Sequence, residues 1–325
     1  MPITTVTKDP DALTLTVVAD FPVPARRLWD AYSDPRQIER FWGPPEWPAT
    51  FTRHDMATGG RSHYFMTGPE GDQSHGYWRF TDVRPGQSFE VVDGFADADG
   101  TPNDDLPTVR VVFSFADADQ GSRLVSTSYF DTADQLQTLI DMGMEEGLTA
   151  AMGQIEDVLA DLRSFATDLP TQSQLIGDHQ VRISRVIRGT VEQVWAAHHD
   201  EELMKQWLLG PDGWTIPVCE VARNVGDSFR QEWVDANGEN GFGFTGELLE
   251  SHPPVRAVTT ERMIGTDGPT TTNELTLTPL EGGGTLLSLL ITYPDAQTRE
   301  MILGTGMTDG METSYARLEE HVLAA

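Results

Sequence analysis

The stretch Ala25-Arg-Arg-Leu-Trp-Asp-Ala-Tyr-Ser-Asp34 recurs 166 positions later as Val191-Glu-Gln-Val-Trp-Ala-Ala-His-His-Asp200. Both copies hold a tryptophan, an alanine and a closing aspartate at the same spacing, and further landmarks follow in the same order. The matching pairs are Gly43-Pro44 with Gly210-Pro211, Trp47 with Trp214, Gly59 with Gly226, and Gly143-Met144 with Gly306-Met307. The offset drifts between 163 and 167, as expected when loops change length after a duplication. The sequence therefore predicts two copies of one unit, each long enough to fold alone.

The two copies also share an order of secondary-structure patterns. An alternating apolar and polar strand comes first, followed by two short helices, the second of which begins after Asp34 or Asp200 as its cap. Six strand-like runs separated by Gly, Pro and Asp turn signals come next. Apolar residues spaced three and four apart then predict one long closing helix in each copy.

The boundary between the copies is predicted from the aperiodic stretch at residues 165–178, which contains Pro170 and three polar residues after it. We predict a first domain over residues 1–164, a linker over residues 165–178 and a second domain over residues 179–325. A curved antiparallel sheet around one long helix encloses an internal space in each domain.

The ordered landmarks resemble the START-like superfamily, also called the Bet v 1-like or helix-grip fold. Within it, the chain is similar to the subgroup named after the activator of Hsp90 ATPase homologue. The resemblance covers nearly the whole chain, twice, and departs at Gly226-Asp227, where the family pattern favours two glycines. It implies an α+β fold of two tandem helix-grip domains, each a curved antiparallel sheet wrapped around a long C-terminal helix with two short helices.

Composition excludes several classes of partner. The chain carries 22 Lys and Arg against 51 Asp and Glu, a net charge of −29. A surface this negative repels nucleic acid and anionic lipid, so neither is an expected partner. We find no apolar run near the length of a membrane span, expect no signal peptide, and see only one cysteine, Cys219. These features predict a cytoplasmic protein.

Aromatic residues are the first candidates for a ligand site. The resemblance places four of them at the cavity of each domain, where they suit flat apolar ligands. They are Trp42, Trp47, Tyr64 and Trp78 in the first domain and Trp207, Trp214, Trp233 and Phe244 in the second. The alternative is ordinary core packing.

Glycines and methionines in the closing helix are the second group of candidates. A glycine inside a helix costs about 1 kcal/mol relative to alanine, so either close packing on the sheet or room for a ligand should offset it. Methionines would give the same wall an adaptable apolar surface. The residues are Gly143, Met144 and Gly147, then Gly306, Met307, Gly310 and Met311.

Residues for catalysis are few. His63, with Arg61 and Tyr64 beside it on one strand, is the only group with acid–base character near the predicted cavity. No histidine or carboxylate cluster has the spacing of a metal site, and no nucleotide fingerprint is present, so we predict no metal and no cofactor. Cys219 lacks a nearby base and is interpreted as a small buried residue.

Three functions follow, and binding is favoured over catalysis. The leading hypothesis, which the resemblance implies, is non-enzymatic binding of a hydrophobic, polyketide-like small molecule, with enediyne self-resistance as its most specific form. The alternatives are a polyketide cyclase or hydrolase that uses His63, Arg61 and Tyr64, and an Hsp90 co-chaperone-like module that binds a protein partner.

Overall fold

The computed structural model describes residues 2–165, 170–210, 213–280 and 284–323. The chain divides into two compact units, residues 1–166 and 167–325, as the internal repeat predicts. Both units carry the helix-grip architecture, so the predicted α+β fold class is confirmed.

The described residues of the first unit form eight strands and four helices. In chain order they are β1 (Ile3–Asp9), β2 (Thr14–Phe21), α1 (Ala25–Ser33), α2 (Pro35–Ile38), β3 (Ala49–His54), β4 (Arg61–Thr67), β5 (Gln73–Arg84), β6 (Ser88–Phe95), β7 (Val109–Ala118), β8 (Gly121–Tyr129), α3 (Ala133–Asp141) and α4 (Met144–Phe165). All strands pair antiparallel, in the order β1-β2-β8-β7-β6-β5-β4-β3.

The described residues of the second unit repeat this pattern. They form β9 (Gln172–Ile176), β10 (Gln180–Ile187), α5 (Val191–His199), α6 (Glu201–Trp207), β11 (Thr215–Glu220), β12 (Ser228–Val234), β13 (Gly241–His252), β14 (Arg256–Met263), β15 (Thr271–Pro279), β16 (Thr285–Thr292), α7 (Ala296–Leu303), α8 (Met307–Arg317) and a π-helical turn (Leu318–Val322). The strand order, β9-β10-β16-β15-β14-β13-β12-β11, is that of the first unit.

The repeated stretch that reveals the duplication folds into the two short helices. The side chains of Asp34 and Asp200 accept hydrogen bonds from backbone N–H groups of the second helix, which confirms both as caps. Thr190 and Gln193 cap α5 reciprocally, whereas Pro24 precedes α1 without a side-chain cap. The second helix therefore starts at the same place in both units.

The predicted linker is wrong in its second half, because residues 172–176 form β9 at the edge of the second sheet. β9 pairs with β10 from Gln172 to Ile176, and most of its side chains are exposed. A strand held by backbone hydrogen bonds at a sheet edge needs no apolar alternation, so no periodicity marks it. β1 is the equivalent strand of the first unit, and residues 166–169 lie outside the described part of the chain.

The single closing helix predicted for each unit is two helices. Gly143 separates α3 from α4 with a φ of +88°, and Gly306 separates α7 from α8 with a φ of +82°. This left-handed backbone ends a helix and strains residues other than glycine. The periodic apolar spacing continues across the break, which is why the sequence shows one helix there.

The first unit has one contiguous core between its sheet and its helices. Aromatic rings fill it, and Phe89 and Phe113 stack with their centroids 4.6 Å apart on neighbouring strands. Met152, Ile155 and Leu159 of α4 belong to the same core.

The second unit is packed differently. Its buried apolar residues fall into three separate clusters, one around Trp207 and Tyr315, one around Ile183 and Tyr293, and one around Trp233. Within the described part of the unit, only half-buried side chains connect these clusters: Leu289 and Met311 pack against the first two, and Leu208 packs against the first and the third.

Candidate functional site

Three aromatic residues of the first unit converge on the inner face of the sheet. Trp42 follows α2, Tyr64 lies on β4 and Trp78 on β5, and their exposed fractions are 9, 7 and 1%. The rings of Trp42 and Trp78 meet edge to face at 4.6 Å, and Tyr64 lies 6.1 Å from each of them. The Tyr64 ring crosses Gly76 of β5, where a Cβ atom would lie 2.5 Å from the ring. The fold brings these predicted site residues together in one aromatic cluster.

Asp93 of β6 adds a carboxyl group to this cluster. It pairs directly with Trp78 across the sheet, so it faces the interior, and its Oδ1 lies 3.5 Å from the Tyr64 hydroxyl. Burial raises the pKa of Asp93 to about 7, although donors on Trp78, Tyr64 and the backbone of Gly94 partly oppose this effect. The Nε1–H groups of Trp42 and Trp78 are buried without a partner of ordinary hydrogen-bond geometry among the described residues.

The second unit has different side chains at the equivalent inward positions, some of them smaller and some larger. The β-bulges at Phe80–Asp82 and Leu248–Glu250 interrupt the same strand pair in each unit and fix the alignment. Two cross-strand pairs then compare directly: Phe51–Tyr64 with Cys219–Gln231, and Phe89–Phe113 with Ala257–Leu275. The pair Trp78–Asp93 corresponds to Gly246 and Glu261, which the register of the pairs on either side sets opposite each other. Larger residues offset these changes elsewhere on the same face. Leu289 and Ile291 of β16 stand where the first unit has Ser126 and Ser128. Phe229 and Phe244 stand where it has Ser62 and Gly76.

Glu261 of β14 occupies the position of Asp93. The register that pairs Thr245 with Arg262 and Leu248 with Thr259 places it opposite Gly246. Burial raises the pKa of Glu261, and a hydrogen bond from Asn273 lowers it in part.

Tyr293 is a neighbour of this carboxyl. Burial, with a contribution from Glu261, raises the pKa of the tyrosine to about 12. Its hydroxyl is buried and has no hydrogen-bond partner among the described residues.

The predicted aromatic residues of the second unit divide between two clusters. Trp214 and Trp233 pack on Phe242, a ring that the sequence analysis missed, and Phe244 joins them. Trp207 instead stacks on Tyr315 of α8 at 5.7 Å. The Trp207 and Trp233 indoles donate to backbone carbonyl groups, so both have a structural role. Trp47 of the first unit is half-buried and packs on Gly68, apart from the inner cluster.

The glycines of the closing helices fall into two kinds. Gly143 and Gly306 are at the helix breaks, whereas Gly147 and Gly310 lie inside α4 and α8. A Cβ atom at any of the four would meet no atom within 4 Å, so close packing on the sheet does not explain them.

The methionines beside these glycines are half-buried. Met144 packs against the core of the first unit, and Met307 and Met311 pack around Tyr293 in the second. This part of the helix wall is therefore apolar and loosely covered.

The three catalytic candidates do not form one site. Tyr64 faces the interior, but Arg61 and His63, at odd positions of the same strand, lie on the opposite face. His63 Nδ1 is bonded to Thr52 Oγ1 at 2.7 Å, and its ring stacks on His75. Burial and His75 lower the pKa of His63 to about 4. A histidine on the outer face cannot act as a base on a ligand in the interior.

Other reactive groups are structural. Burial raises the pKa of the Cys219 thiol to about 11, so it is protonated at neutral pH. His198 packs against Trp207 and donates to the carbonyl of Val194, and burial lowers its pKa to about 4. Among the described residues, no three His, Cys, Asp or Glu side chains converge on a metal position. No described helix has the length and apolar character of a membrane span.

The sequence analysis did not identify the two inward carboxyl groups, and the sequence pattern indicates an inward position for only one of them. On β6, Phe89, Val91 and Asp93 follow each other at alternate positions, so the apolar row predicts that Asp93 faces inward. On β14 the same row reads Ala257, Thr259 and Glu261, which has no apolar alternation.

Comparison with protein families gives one match, found twice. The sequence model of the family described as "Activator of Hsp90 ATPase homolog 1-like protein" matches residues 22–160 and again residues 188–322. No curated protein matches the chain.

Solved structures similar to this chain cover about half of it. A protein from Mycobacterium smegmatis (Ms6760) is 47% identical over 49% of this chain and 97% of its own, with a TM-score of 0.46. A protein from Arthrobacter aurescens is 41% identical over 48% of this chain and 91% of its own, with a TM-score of 0.46. A third, from Rhodobacter sphaeroides, is 28% identical over 48% of this chain and 100% of its own, with a TM-score of 0.45.

Proposed function

This chain belongs to the Activator of Hsp90 ATPase homolog 1-like family in both of its halves, and on that basis we propose that it binds an apolar small molecule inside the fold. The ligand lies between the sheet and the closing helices, and the second unit is its main site. A flat, polyketide-like molecule fits this proposal, since aromatic and methionine side chains line the interior.

The observation that carries the proposal is the loss of large inward rings in the second unit. Trp78 and Phe89 of the first unit correspond to Gly246 and Ala257, and the buried apolar side chains of the second unit no longer form one cluster. Protein interiors are close-packed, so a ligand that fills the space vacated by these rings regains packing energy.

The closing helix supports the same interpretation. Met307 and Met311 are half-buried on the wall that faces Tyr293, and flexible thioether side chains adapt to the shape of a ligand. Gly310 is exposed and carries no side chain that could cover them. The helix therefore offers an apolar surface that the protein's own side chains do not cover.

Native mass spectrometry of the freshly purified full chain, followed by solvent extraction, tests the proposal. We expect an added mass that disappears on extraction and a thermal shift when an apolar ligand is returned. Ala257→Phe restores the ring of the first unit and should abolish both effects. Ala236→Phe, on the exposed turn between β12 and β13, is the matched control. A chain that carries no added mass and shows no thermal shift with a panel of apolar compounds would contradict the proposal.

Self-resistance to an enediyne antibiotic is the most specific form of this function. Sequestration requires only a tight apolar cavity, which is consistent with the outward position of His63 and Arg61. The family description gives a protein-binding alternative, and stimulation of an Hsp90 ATPase by the full chain would favour it. In either case we place the protein in the cytoplasm.

A further inference from the structure

An acidic side chain occupies the same inward position in both units. Asp93 lies opposite Trp78, and Glu261 lies opposite Gly246. The residues around this position differ between the units, since Trp78 and Phe89 of the first correspond to Gly246 and Ala257 of the second. A carboxyl group in an apolar interior lowers stability unless it is paired. Its presence in both units therefore requires a physical reason.

Neither carboxyl has a cation to pair with among the described residues. The groups that act on Asp93 are neutral donors, Tyr64 and Trp78, together with a backbone N–H. Asn273 is the donor to Glu261, and Tyr293 lies beside it. Arg299 of α7 acts on Tyr293, but it donates to the carbonyl of Gly177 and is not among the groups that shift Glu261. Both residues are half-buried, and carboxylates withdrawn from water are normally paired with a cation, so each site favours a counter-ion.

We infer that each inward carboxyl binds the protonated nitrogen of an apolar amine, so that the ligand supplies the missing counter-ion. This inference rests on the proposed ligand-binding function and adds a basic nitrogen to the apolar molecule. The rest of the ligand then lies along the apolar interior, and its charged end is fixed by Asp93 or Glu261.

Aromatic rings next to each carboxyl fit a cation. Asp93 is bordered by Tyr64 and Trp78, whose ring faces attract a positive charge within about 6 Å. The Phe229 ring packs on Gly246, the residue that the register sets opposite Glu261, and a Cβ atom there would lie 2.7 Å from the ring. The net charge of −29 raises the local concentration of organic cations and repels anionic ligands.

Protonation of the carboxyl sets the pH dependence of binding. Burial raises the pKa of both Asp93 and Glu261, so each loses its negative charge at a higher pH than an exposed carboxyl. The cation therefore binds Asp93 more tightly at about pH 8 than at about pH 6, whereas a neutral ligand of the same shape shows no such change.

Three probes of one skeleton separate charge from apolar contact. 1-Naphthylmethylamine is cationic, 1-naphthylmethanol replaces the nitrogen by a hydroxyl, and 1-methylnaphthalene has no polar group. Calorimetric titration of the full chain, in about 0.3 M salt to screen surface charge, should show the amine binding about tenfold more tightly than the alcohol. The indole N–H signals of Trp42 and Trp78 should shift in NMR spectra when the amine occupies the first unit.

Single substitutions then assign the preference to the two carboxyl groups. Asp93→Asn should remove the indole shifts, and the double variant with Glu261→Gln should lose the preference for the amine while it retains affinity for 1-methylnaphthalene. Asp119→Asn and Glu220→Gln remove the same charges from exposed positions and are the matched controls.

The outcomes separate the two proposals. Equal affinities for amine and alcohol, or a preference that survives in the double variant, would overturn the amine inference alone. If none of the three probes binds, the proposed function and the inference both fail. The pH dependence is measured on the unaltered chain and stands even where a variant does not fold.

Discussion

The Asp93 carboxyl opposes folding at neutral pH, because its folded pKa of about 7 lies above its value in an unfolded chain. A raised carboxyl pKa means that the folded state holds the proton more tightly, so the stabilising contribution is lost as pH rises from about 4 to 7. Asp93→Asn keeps the size of the side chain and replaces the carboxyl group by an amide that does not titrate. We expect the variant to gain about 1–2 kcal/mol relative to the unaltered chain between about pH 5 and pH 8, measured by urea unfolding.

Asp119→Asn is the control for that experiment, since Asp119 is exposed on the turn after β7. Its stability difference from the unaltered chain should stay constant over the same pH range. A parallel response of the two variants would mean that net charge, and not the burial of Asp93, controls the effect.

His198 titrates with the opposite sign. Burial lowers its pKa to about 4, so the folded state keeps it neutral and an unfolded chain takes up the proton first. Its contribution is complete above about pH 6.5 and is lost as pH falls toward 4. His198→Phe keeps a ring against Trp207 and should remove about 2 kcal/mol of acid sensitivity between about pH 6.5 and pH 4.5. His321→Phe, on the exposed end of the chain, should leave the acid sensitivity unchanged.

At the scale of single residues, the sequence predicts which aromatic residues pack together better than it predicts the face of the sheet on which a side chain lies. Trp42, Tyr64 and Trp78 converge, because large rings on the inner face of the sheet and on the segment after α2 are buried against one another. His63 was a candidate beside Tyr64 near the cavity, yet neighbouring residues on a strand point to opposite faces. Glu261 left no signal, since its row lacks apolar alternation, and only the register of β13 with β14 shows that it faces inward.

At the scale of elements, the closing helices contain a matched pair of glycines. Gly147 has a helical backbone with open space around it, so Gly147→Ala should stabilise the first unit by up to about 1 kcal/mol. Gly143 has a φ of +88°, so Gly143→Ala forces a strained backbone and should destabilise the unit by about 1–2 kcal/mol. Thermal unfolding measures both changes. If the two variants change stability in the same direction, Gly143 does not have the left-handed backbone that separates α3 from α4.

Features that depend on local interactions were predicted from the sequence, whereas an edge strand and a helix break were not. The caps at Asp34 and Asp200 were predicted, because a side chain bonding to its own helix end is a local interaction. β9 was missed because its partner, β10, supplies the backbone hydrogen bonds that hold it. The break at Gly143 was also missed, since the apolar spacing that faces the core continues through it.

At the scale of the whole molecule, one fold has been used twice with different interiors. The duplication itself was predicted from sequence, because the repeated landmarks are helix caps, turns and core tryptophans that the shared topology needs. Inward side chains are free to differ once the sheet and helices are fixed. The first unit fills its interior with rings, and the second leaves its apolar residues in separate clusters. Function and stability are therefore expected to be divided between the units.

This division predicts two unfolding transitions for the full chain. Each unit has its own buried apolar residues, so each is expected to unfold as a cooperative step, and the better-packed first unit should unfold at the higher temperature. Asp93→Asn should move only the upper transition and His198→Phe only the lower one in scanning calorimetry. An apolar ligand should raise the lower transition more, because only the native state of the unit with room for it binds tightly. A single transition that both substitutions shift equally would show that the units unfold together, and a ligand effect confined to the upper transition would place the main site in the first unit.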